Sequence, residues 1–214
     1  MINSSVKYHD QNSANYDKSY KNPYWKIYKE ITWNYIKDYL PPTKKRSLIL
    51  DAGGGTGEWA IRLAKLGYNV VLADVSEGML DVAVTKIKKL KLGNKITVMN
   101  LDICKMHLLD SKQFNLSLAE GDPVSYCSNP NKAISELSRV TKIGGYVTVS
   151  VDNKLRWVSG LIKNGHLKEA QISLKSGIGY MRAGHDDQFP AHMFTIEELS
   201  VLSHDPPLIL FNID

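Results

Sequence analysis

The sequence predicts a single α/β domain built on a doubly wound, mostly parallel β-sheet. Between residues 45 and 152, short apolar segments of strand length alternate with longer segments whose apolar residues recur every three or four positions. Strands that alternate with helices in this way form a parallel sheet with helices on both faces. The length of 214 residues, with 43% hydrophobic and 23% charged residues, suits one domain (residues 1–214) with one core.

The predicted elements follow one another without an internal repeat. Residues 1–44 are expected to form a helical cover, because Trp25, Tyr28, Ile31 and Tyr35 recur with helical spacing. The predicted strands are residues 48–51, 70–74, 96–100, 114–120 and 146–151. The predicted helices are residues 57–66 and 77–90, and a third that begins at Asn129-Pro130 and ends at Gly144-Gly145.

The chain after residue 152 is predicted to complete the domain in two parts. Residues 153–194 combine a helical pattern with a glycine-rich loop. We expect them to cover the substrate side, because insertions beyond the carboxyl ends of parallel strands build the substrate wall. In residues 195–214 a helix begins at the capping box Thr195-Ile196-Glu197-Glu198, and Leu208-Ile209-Leu210-Phe211 forms a strand.

Composition favours a cytoplasmic protein. Cys104 and Cys127 are too few for a disulfide framework and favour a reducing compartment. No apolar run reaches the roughly 18 residues of a membrane helix, and the first residues lack the pattern of an export signal. The net charge of +5 is compatible with an RNA partner. However, the densest lysine cluster, residues 86–95, has no interleaved aromatic residues and is interpreted as a solvated helix end.

A glycine-rich loop directly follows the first predicted strand. It reads Asp51-Ala52-Gly53-Gly54-Gly55-Thr56-Gly57 and leads into the first predicted helix. Glycines let the backbone turn sharply and approach a ligand, and the free N–H groups of the helix favour a negative group. Asp74 ends the second strand nineteen residues after Gly55, where a carboxylate can accept hydrogen bonds from a ribose diol. Capping of the next helix, by Asp74 or by Ser76, is the alternative.

The spacing of this loop separates two classes of cofactor. The dinucleotide pattern G-x-G-x-x-G/A needs a small residue at position 58, and Glu58 would place a carboxylate against the pyrophosphate. A nicotinamide dehydrogenase is therefore disfavoured. The pattern D-x-G-x-G-x-G, followed by Asp74 and by Asn100-Leu101-Asp102-Ile103, resembles the class I S-adenosylmethionine-dependent methyltransferases. The resemblance covers residues 45–152, which would form the cofactor-binding core.

The resemblance implies S-adenosylmethionine as the cofactor and S-adenosylhomocysteine as the product. The acidic residue after the second strand would hold the ribose, and the segment after the third strand would read the adenine edge. The stretch from Tyr8 to Tyr20 resembles the helix that covers the cofactor in small-molecule methyltransferases of the quinone-biosynthesis type. The residues that the resemblance assigns to the cofactor are Tyr16, Asp51, Gly53, Gly55, Asp74, Val75, Met79, Asp102, Ile103 and Glu120.

The resemblance further implies methyl transfer to a small-molecule acceptor by in-line displacement. Such an enzyme mainly aligns the reactants and excludes water, and it needs a general base only for a protonated acceptor. Asp122, Tyr126 and His192 are the candidate acid/base residues, and no metal site is predicted. Enzymes that methylate amino groups of nucleic acids carry Asp/Asn-Pro-Pro-aromatic where this chain has Glu120-Gly121-Asp122-Pro123. An RNA methyltransferase and a non-catalytic cofactor-binding protein are the alternatives.

The resemblance also makes the end of the chain notable. The family's sheet normally adds a sixth strand and an antiparallel seventh, but only residues 212–214 follow the predicted strand at 208–211. A strand takes about five residues plus a turn, so a shortened sheet of six strands or fewer is expected. Its edge at residues 146–151 would be covered by residues 153–194, by the strand at 208–211, or by a second subunit in a homodimer.

Overall fold

The computed structural model describes residues 4–43, 46–182, 185–202 and 208–211. The strands are β1 (Leu48–Ala52), β2 (Asn69–Asp74), β3 (Ile96–Asn100), β4 (Phe114–Ala119), β5 (Thr141–Ser150), β6 (Ile178–Met181), β7 (Phe189–His192) and β8 (Leu208–Phe211). The α-helices are α1 (Ser4–Ser19), α2 (Pro23–Ile36), α3 (Glu58–Lys65), α4 (Glu77–Lys89), α5 (Pro123–Tyr126), α6 (Pro130–Val140), α7 (Lys154–Lys163), α8 (Leu167–Ser176) and α9 (Ile196–Leu202).

The main sheet confirms the predicted α/β fold. Its strand order is β3-β2-β1-β4-β5-β8, and every pairing in it is parallel. The order reverses between β1 and β4, because the chain first builds outward through β2 and β3 and then returns to the other side of β1. Ligands of open α/β sheets bind beyond the carboxyl ends of the strands at such a reversal. The loops after β1, β2 and β4 are therefore the place to look for the site.

Both faces of the sheet are buried, as the apolar runs predict. Along β1, Ile49 packs in the cluster that contains α3 and α4, whereas Leu50 packs in the cluster that contains α6. Successive side chains of a strand point to opposite faces, so one apolar strand serves both layers. Among the described residues, no helix is both long and apolar enough to cross a membrane.

The paired glycines at 144 and 145 lie inside a strand and not at a helix end, which corrects the prediction. Helix α6 ends at Val140, and β5 begins at the next residue. Opposite Phe114–Leu116 the register of β5 jumps from Thr141 to Tyr146, so the extra residues form a bulge. A Cβ on Gly145 would lie 2.8 Å from the carbonyl oxygen of Asn115. Helix ends and bulges both favour glycine, and the sequence pattern did not distinguish them.

The segment 153–194 contains more regular structure than the predicted helix and loop. Helices α7 and α8 are followed by an antiparallel hairpin of β6 and β7, in which Gly179 pairs with Ala191. His192 therefore belongs to a strand and not to a loop. Each strand has four residues, which is too short for a clear alternating pattern. Gly177, with φ +69°, ends α8 and turns the chain into the hairpin.

The last described strand covers the edge of the sheet. β8 pairs with β5 in parallel, from Val147 with Leu208 to Ser150 with Phe211. Within the described residues this sheet has six strands. Three covers were predicted for the edge at β5, and the strand at 208–211 is the one observed there. The capping box at the start of α9 is also present, because the Thr195 N–H donates to Glu198 Oε2 at 2.8 Å.

Candidate functional site

The glycine loop is held tightly between β2 and α5. The N–H groups of Gly53 and Gly54 both donate to the carbonyl oxygen of Ala73, at 2.7 and 3.1 Å. A Cβ on Gly53 would lie 2.4 Å from the Cβ of Pro123. Gly53 and Gly55 also have φ angles of +69° and +54°, which glycine adopts without strain. The loop thus brings bare backbone to the carboxyl end of the sheet.

Asp51 lies beneath this loop and is not among the residues that line the cavity described below, and its predicted contact with the cofactor stays a prediction. Its side chain is fully buried, and Oδ2 accepts a hydrogen bond from the Ala60 N–H at 2.9 Å. Burial raises the pKa of this carboxyl to about 7. Asp51 thus ties the end of β1 to α3.

Asp74 is buried at the end of β2 and faces the glycine loop. Its Oδ2 accepts from the Gly55 N–H and its Oδ1 from the Ser76 N–H, each at 2.8 Å. Burial raises the pKa of Asp74. The cap of α4 is Ser76, whose Oγ accepts from the Met79 N–H at 3.2 Å. Asp74 is therefore not the helix cap, and each of its oxygens keeps a lone pair for a ligand.

The loops after β1, β2, β3 and β4 surround a cavity of about 820 Å³. This volume lies in the range of small-molecule and cofactor sites. His192 is not part of the wall, because it sits on β7 and contacts the ring of Phe194. The wall contains all the remaining predicted site residues, namely Tyr16, Gly53, Gly55, Asp74, Val75, Met79, Asp102, Ile103, Glu120, Asp122 and Tyr126.

Helix α1 closes one side of the cavity through contacts that the sequence did not reveal. Asp10 Oδ1 accepts from the Ser76 hydroxyl at 2.6 Å and from the Gly78 N–H at 3.0 Å, at the start of α4. Asp17 forms an ion pair with Lys86 at 2.8 Å and accepts from the Thr56 hydroxyl at 2.6 Å. These contacts join residues up to 69 positions apart, so no local pattern could have indicated them.

We expect Asp10→Ala to loosen α1 while the rest of the fold stays intact. The substitution removes two hydrogen bonds at the start of α4, worth about 1 kcal/mol at an exposed helix end. Hydrogen exchange of the α1 amides should become faster in Asp10→Ala and stay unchanged in the control Lys7→Ala, which alters an exposed side chain of the same helix. Alanine favours helix more than aspartate does, so faster exchange would report lost docking. Unchanged exchange in both variants would contradict the role given to Asp10.

Aromatic side chains from α1, from α2 and from the turn between them form a continuous part of the wall. Ring centroids lie 4.6 Å apart for Tyr16 and Tyr20, 4.6 Å for Tyr20 and Trp25, and 5.4 Å for Trp25 and Tyr28. Burial raises the pKa of Tyr16, and likewise that of Tyr126 across the cavity. Both phenols are therefore protonated at neutral pH and can donate hydrogen bonds.

Acidic side chains dominate the charged part of the wall, although the whole chain carries +5. Two lysines, Lys29 and Lys105, also line the cavity, and Lys29 is paired with Glu58 at 3.0 Å. The eight carboxylates in the wall are Asp10, Asp17, Glu58, Asp74, Glu77, Asp102, Glu120 and Asp122. A wall of this charge attracts cations.

Comparison with known proteins agrees with this geometry. The family described as "Methyltransferase domain" matches residues 49–145, which include the glycine loop, Asp74 and Asp102. The chain is 29% identical over 162 residues to the ubiquinone/menaquinone biosynthesis C-methyltransferase of Zymomonas mobilis, covering 74% of this chain and 63% of that protein. It is 39% identical over 102 residues to the malonyl-[acyl-carrier protein] O-methyltransferase of Buchnera aphidicola, covering 48% and 38%.

A solved structure shares the fold. A SAM-dependent methyltransferase from Methanosarcina mazei superimposes with a TM-score of 0.63 at 24% identity, covering 78% of this chain and 81% of that one. The chain spans only 38 to 63% of the length of the two curated relatives. The matched region coincides with the strands and loops that build the cavity. Residues 49–145 are thus similar to a methyltransferase-domain family, and the sheet around them shares the fold of that solved structure.

Proposed function

We propose that this protein transfers a methyl group from S-adenosylmethionine to a small-molecule acceptor. The observation that carries the proposal is the bare glycine loop beside Asp74, at the point where the strand order reverses and a cavity opens. A cavity of about 820 Å³ suits a cofactor together with a small acceptor. S-Adenosylhomocysteine would be the product.

The residues present fit the cofactor. Asp74 keeps free lone pairs for the ribose hydroxyls, and Gly55 offers backbone without a side chain. Met79 and Ile103, both buried in the wall, provide apolar surface for the adenine, and Asp102 lies next to Ile103. Asp102 already accepts from the Cys104 N–H at 2.8 Å, which fixes the direction of its carboxylate.

The chain's own contribution to the reaction is to bind, align and shield. When bound, S-adenosylmethionine supplies an activated methyl group on a sulfonium sulfur. The aromatic side chains of α1, of α2 and of the turn between them exclude water from the cavity, and the contacts of Asp10 and Asp17 hold α1 in place. Glu120 and Asp122 stand at the end of β4, where the resemblance puts the methionine part and the acceptor. Alignment of this kind needs no metal and no covalent intermediate.

The intramolecular contacts of the lysine cluster at residues 86–95 favour a small acceptor over RNA. Lys86 is paired with Asp17, and Lys95 donates to the Gly67 carbonyl oxygen at 3.2 Å. Both side chains are thus occupied inside the protein. One curated relative is named as a methyltransferase of quinone biosynthesis and the other as a malonyl-[acyl-carrier protein] O-methyltransferase. We propose that the acceptor of this chain comes from the same range of molecules. A cytoplasmic location fits the two free cysteines, and a homodimer stays a prediction.

Turnover of labelled S-adenosylmethionine on a cell extract tests the proposal. After reaction, the extract is separated into small-molecule, RNA and protein fractions. Label in the small-molecule fraction is the expected result. Label in RNA, with binding of bulk tRNA that weakens steeply as salt rises, would instead favour an RNA methyltransferase. Tight cofactor binding with no label in any fraction would favour a non-catalytic binding protein.

A further inference from the structure

A histidine on α1 stands in the cavity wall, although it was not among the acid/base residues predicted from the sequence. We propose that this residue, His9, is the general base of the methyl transfer and that its Nε2 takes the proton of a hydroxyl group on an aromatic acceptor. The inference rests on the proposed methyl transfer. It adds a catalytic residue to that reaction and names the chemical class of the acceptor.

The ring of His9 is fixed so that one nitrogen is left for a ligand. Its Nδ1 lies 2.8 Å from the carbonyl oxygen of Ser5, one helical turn earlier, and 3.5 Å from the hydroxyl oxygen of the same residue. A carbonyl oxygen only accepts, so Nδ1 carries the hydrogen and the neutral ring has its lone pair on Nε2. Within the described part of the chain, Nε2 has no hydrogen-bond partner.

His9 lies between the predicted ribose position and the acceptor end of the cavity. Burial raises the pKa of Asp74, and the positive charge of a protonated His9 opposes that rise, so the two side chains are neighbours. On the other side, the ring centroid of His9 is 6.1 Å from that of Tyr126 on α5 and 5.9 Å from that of Phe189 on β7. Strand β7 belongs to residues 153–194, the predicted substrate-side cover. His9 therefore stands at the boundary across which the methyl group is transferred.

The other ionisable groups of the wall are less available for this step. Burial keeps Tyr126 protonated by raising its pKa, and Asp74 already accepts from two N–H groups. Glu120 and Asp122 stand where the resemblance puts the methionine part, whose ammonium group is their expected partner. Of the histidines in the described ranges, His9 alone lines the cavity. Imidazole is also the side chain that most often serves as a general base.

Aromatic rings beside His9 favour a flat aromatic acceptor. The ring centroid of Tyr16 lies 6.0 Å from that of His9, and Tyr20 and Trp25 continue the row. Aromatic rings pair in offset or edge-to-face arrangements at such distances. A hydroxyl group on an aromatic ring also suits an imidazole base, because a phenol has a pKa of about 10, several units below that of water or an aliphatic alcohol.

The proposed step balances with the acceptor, the cofactor and His9 alone. The O–H bond of the acceptor breaks, and its proton moves to Nε2 of His9. The acceptor oxygen forms a bond to the methyl carbon while the bond between that carbon and sulfur breaks, and the electron pair of the broken bond stays on sulfur. The products are an aryl methyl ether, S-adenosylhomocysteine and a protonated His9, which returns its proton to water.

Protonation of His9 before the reaction should stop this step, because the imidazolium ring has no lone pair. Histidines change charge between about pH 5 and pH 8, so methyl transfer is expected to slow as the pH falls through this range. Burial raises the pKa of Asp122 to about 6, so this carboxyl titrates in the same range and a variant of His9 is needed to separate the two. The ionisable groups around His9 are Tyr8, Asp10 and Tyr16 on α1, Asp74 at the end of β2, Asp122 and Tyr126 at α5, and Arg182 over the ring of Tyr8.

An NMR titration of the protein saturated with S-adenosylhomocysteine tests the contact with Nε2. The probes are phenol, which can donate and accept a hydrogen bond, and anisole, which can only accept one. At about pH 8 we expect phenol to bind about fivefold more tightly, because neutral Nε2 accepts its hydrogen. At about pH 5 the preference should disappear, since the imidazolium donates to either oxygen. Equal affinities at the higher pH, or a preference that is the same at both pH values, would overturn the inference.

Two substitutions tie this result to His9. In His9→Phe the ring remains but cannot accept, so the preference for phenol should disappear at both pH values while the affinity for S-adenosylhomocysteine stays the same. The control His107→Phe replaces an exposed histidine outside the cavity wall and should keep the native behaviour. A preference for phenol that survives His9→Phe, or a loss of S-adenosylhomocysteine affinity in this variant, would contradict the role of His9. Should His9→Phe fail to fold, His9→Gln serves instead, because its amide does not titrate and the pH dependence should vanish.

Turnover of S-adenosylmethionine labelled in its methyl group tests the chemistry. On the small-molecule fraction of a cell extract, His9→Phe should incorporate label at least about 100-fold more slowly than the native chain. Hot hydriodic acid cleaves aryl methyl ethers to volatile methyl iodide, so the label in the native product should become volatile. Label that resists this treatment, or an unchanged rate in His9→Phe, would count against the inference and overturn it.

These outcomes separate the inference from the proposed function. Failure of the native chain to bind S-adenosylhomocysteine, or to label any small molecule, would overturn the proposed function and the inference with it. Labelled small molecules whose formation does not depend on His9 would overturn the inference alone.

Discussion

Replacing Gly55 by valine is expected to abolish the binding of S-adenosylmethionine while the fold survives. The branched side chain would project from the loop into the space that the ligand must enter. Inside the protein its Cβ would meet only the terminal methyl group of Met79, at 2.9 Å. Valine at φ +54° costs about 1–2 kcal/mol of backbone strain, which a domain of this size tolerates. Calorimetry with S-adenosylmethionine and thermal unfolding of the free protein measure the two effects separately.

Gly165→Val is the matched control for this substitution. Gly165 has a comparable φ of +81°, an added Cβ there meets nothing within 4 Å, and the residue does not line the cavity. It should lower stability by a similar amount and leave cofactor affinity unchanged. If Gly55→Val still bound the cofactor, the loop would not be the cofactor's contact surface.

Asp74→Ala is expected to weaken S-adenosylmethionine binding by roughly 10- to 100-fold. The ribose would lose a charged acceptor, and the worth of one hydrogen bond to a charged group, about 1.5–3 kcal/mol, corresponds to a loss of this size. The structure adds a second reason, because the same carboxylate holds the N–H groups of Gly55 and Ser76. Removing this carboxylate therefore also removes the hydrogen bond that holds the glycine loop. Calorimetric titration of the folded variant measures the loss.

Two further variants separate these causes. Ser76→Ala removes the cap of α4 but keeps Asp74, so it should lower stability and change cofactor affinity much less. Asp81→Ala removes an exposed carboxylate from the outer side of α4 and should change neither. Should Asp74→Ala bind as well as the native chain, Asp74 would serve only to tie the loop to β2.

The alternation of strands and helices was predictable because it depends on local periodicity. β3 was predicted with its observed bounds, Ile96–Asn100, and α4 to within one residue of its end at Lys89. Apolar residues that recur with the period of a helix or a strand have few other ways to be buried. The loop from Asp51 to Gly57 was equally predictable, because several adjacent glycines indicate a sharp turn or a backbone that lies close to a ligand.

Side-chain direction was less predictable. Asp51 is next to last in β1 and Asp74 is last in β2, and of the two only Asp74 lines the cavity. Asp51 points beneath the loop to the start of α3. A one-residue change of position along a strand reverses the face of its side chain, and the loop residues that follow obey no such period. His192 was predicted to lie in a loop and is found in a strand. Strand β7 has only four residues, which is too short for a recognisable alternating pattern.

The sequence by itself determined the α/β fold and the glycine loop, because each rests on residues that are close in the chain or on their periodicity, and the resemblance of that loop to a known family predicted the cofactor class. Only the tertiary structure decided that α1 is held over the cavity by Asp10 and Asp17 and that β8 covers the edge of β5. Those features join segments dozens of residues apart. Their contacts arise from packing of whole elements, and packing leaves no periodic trace in the sequence.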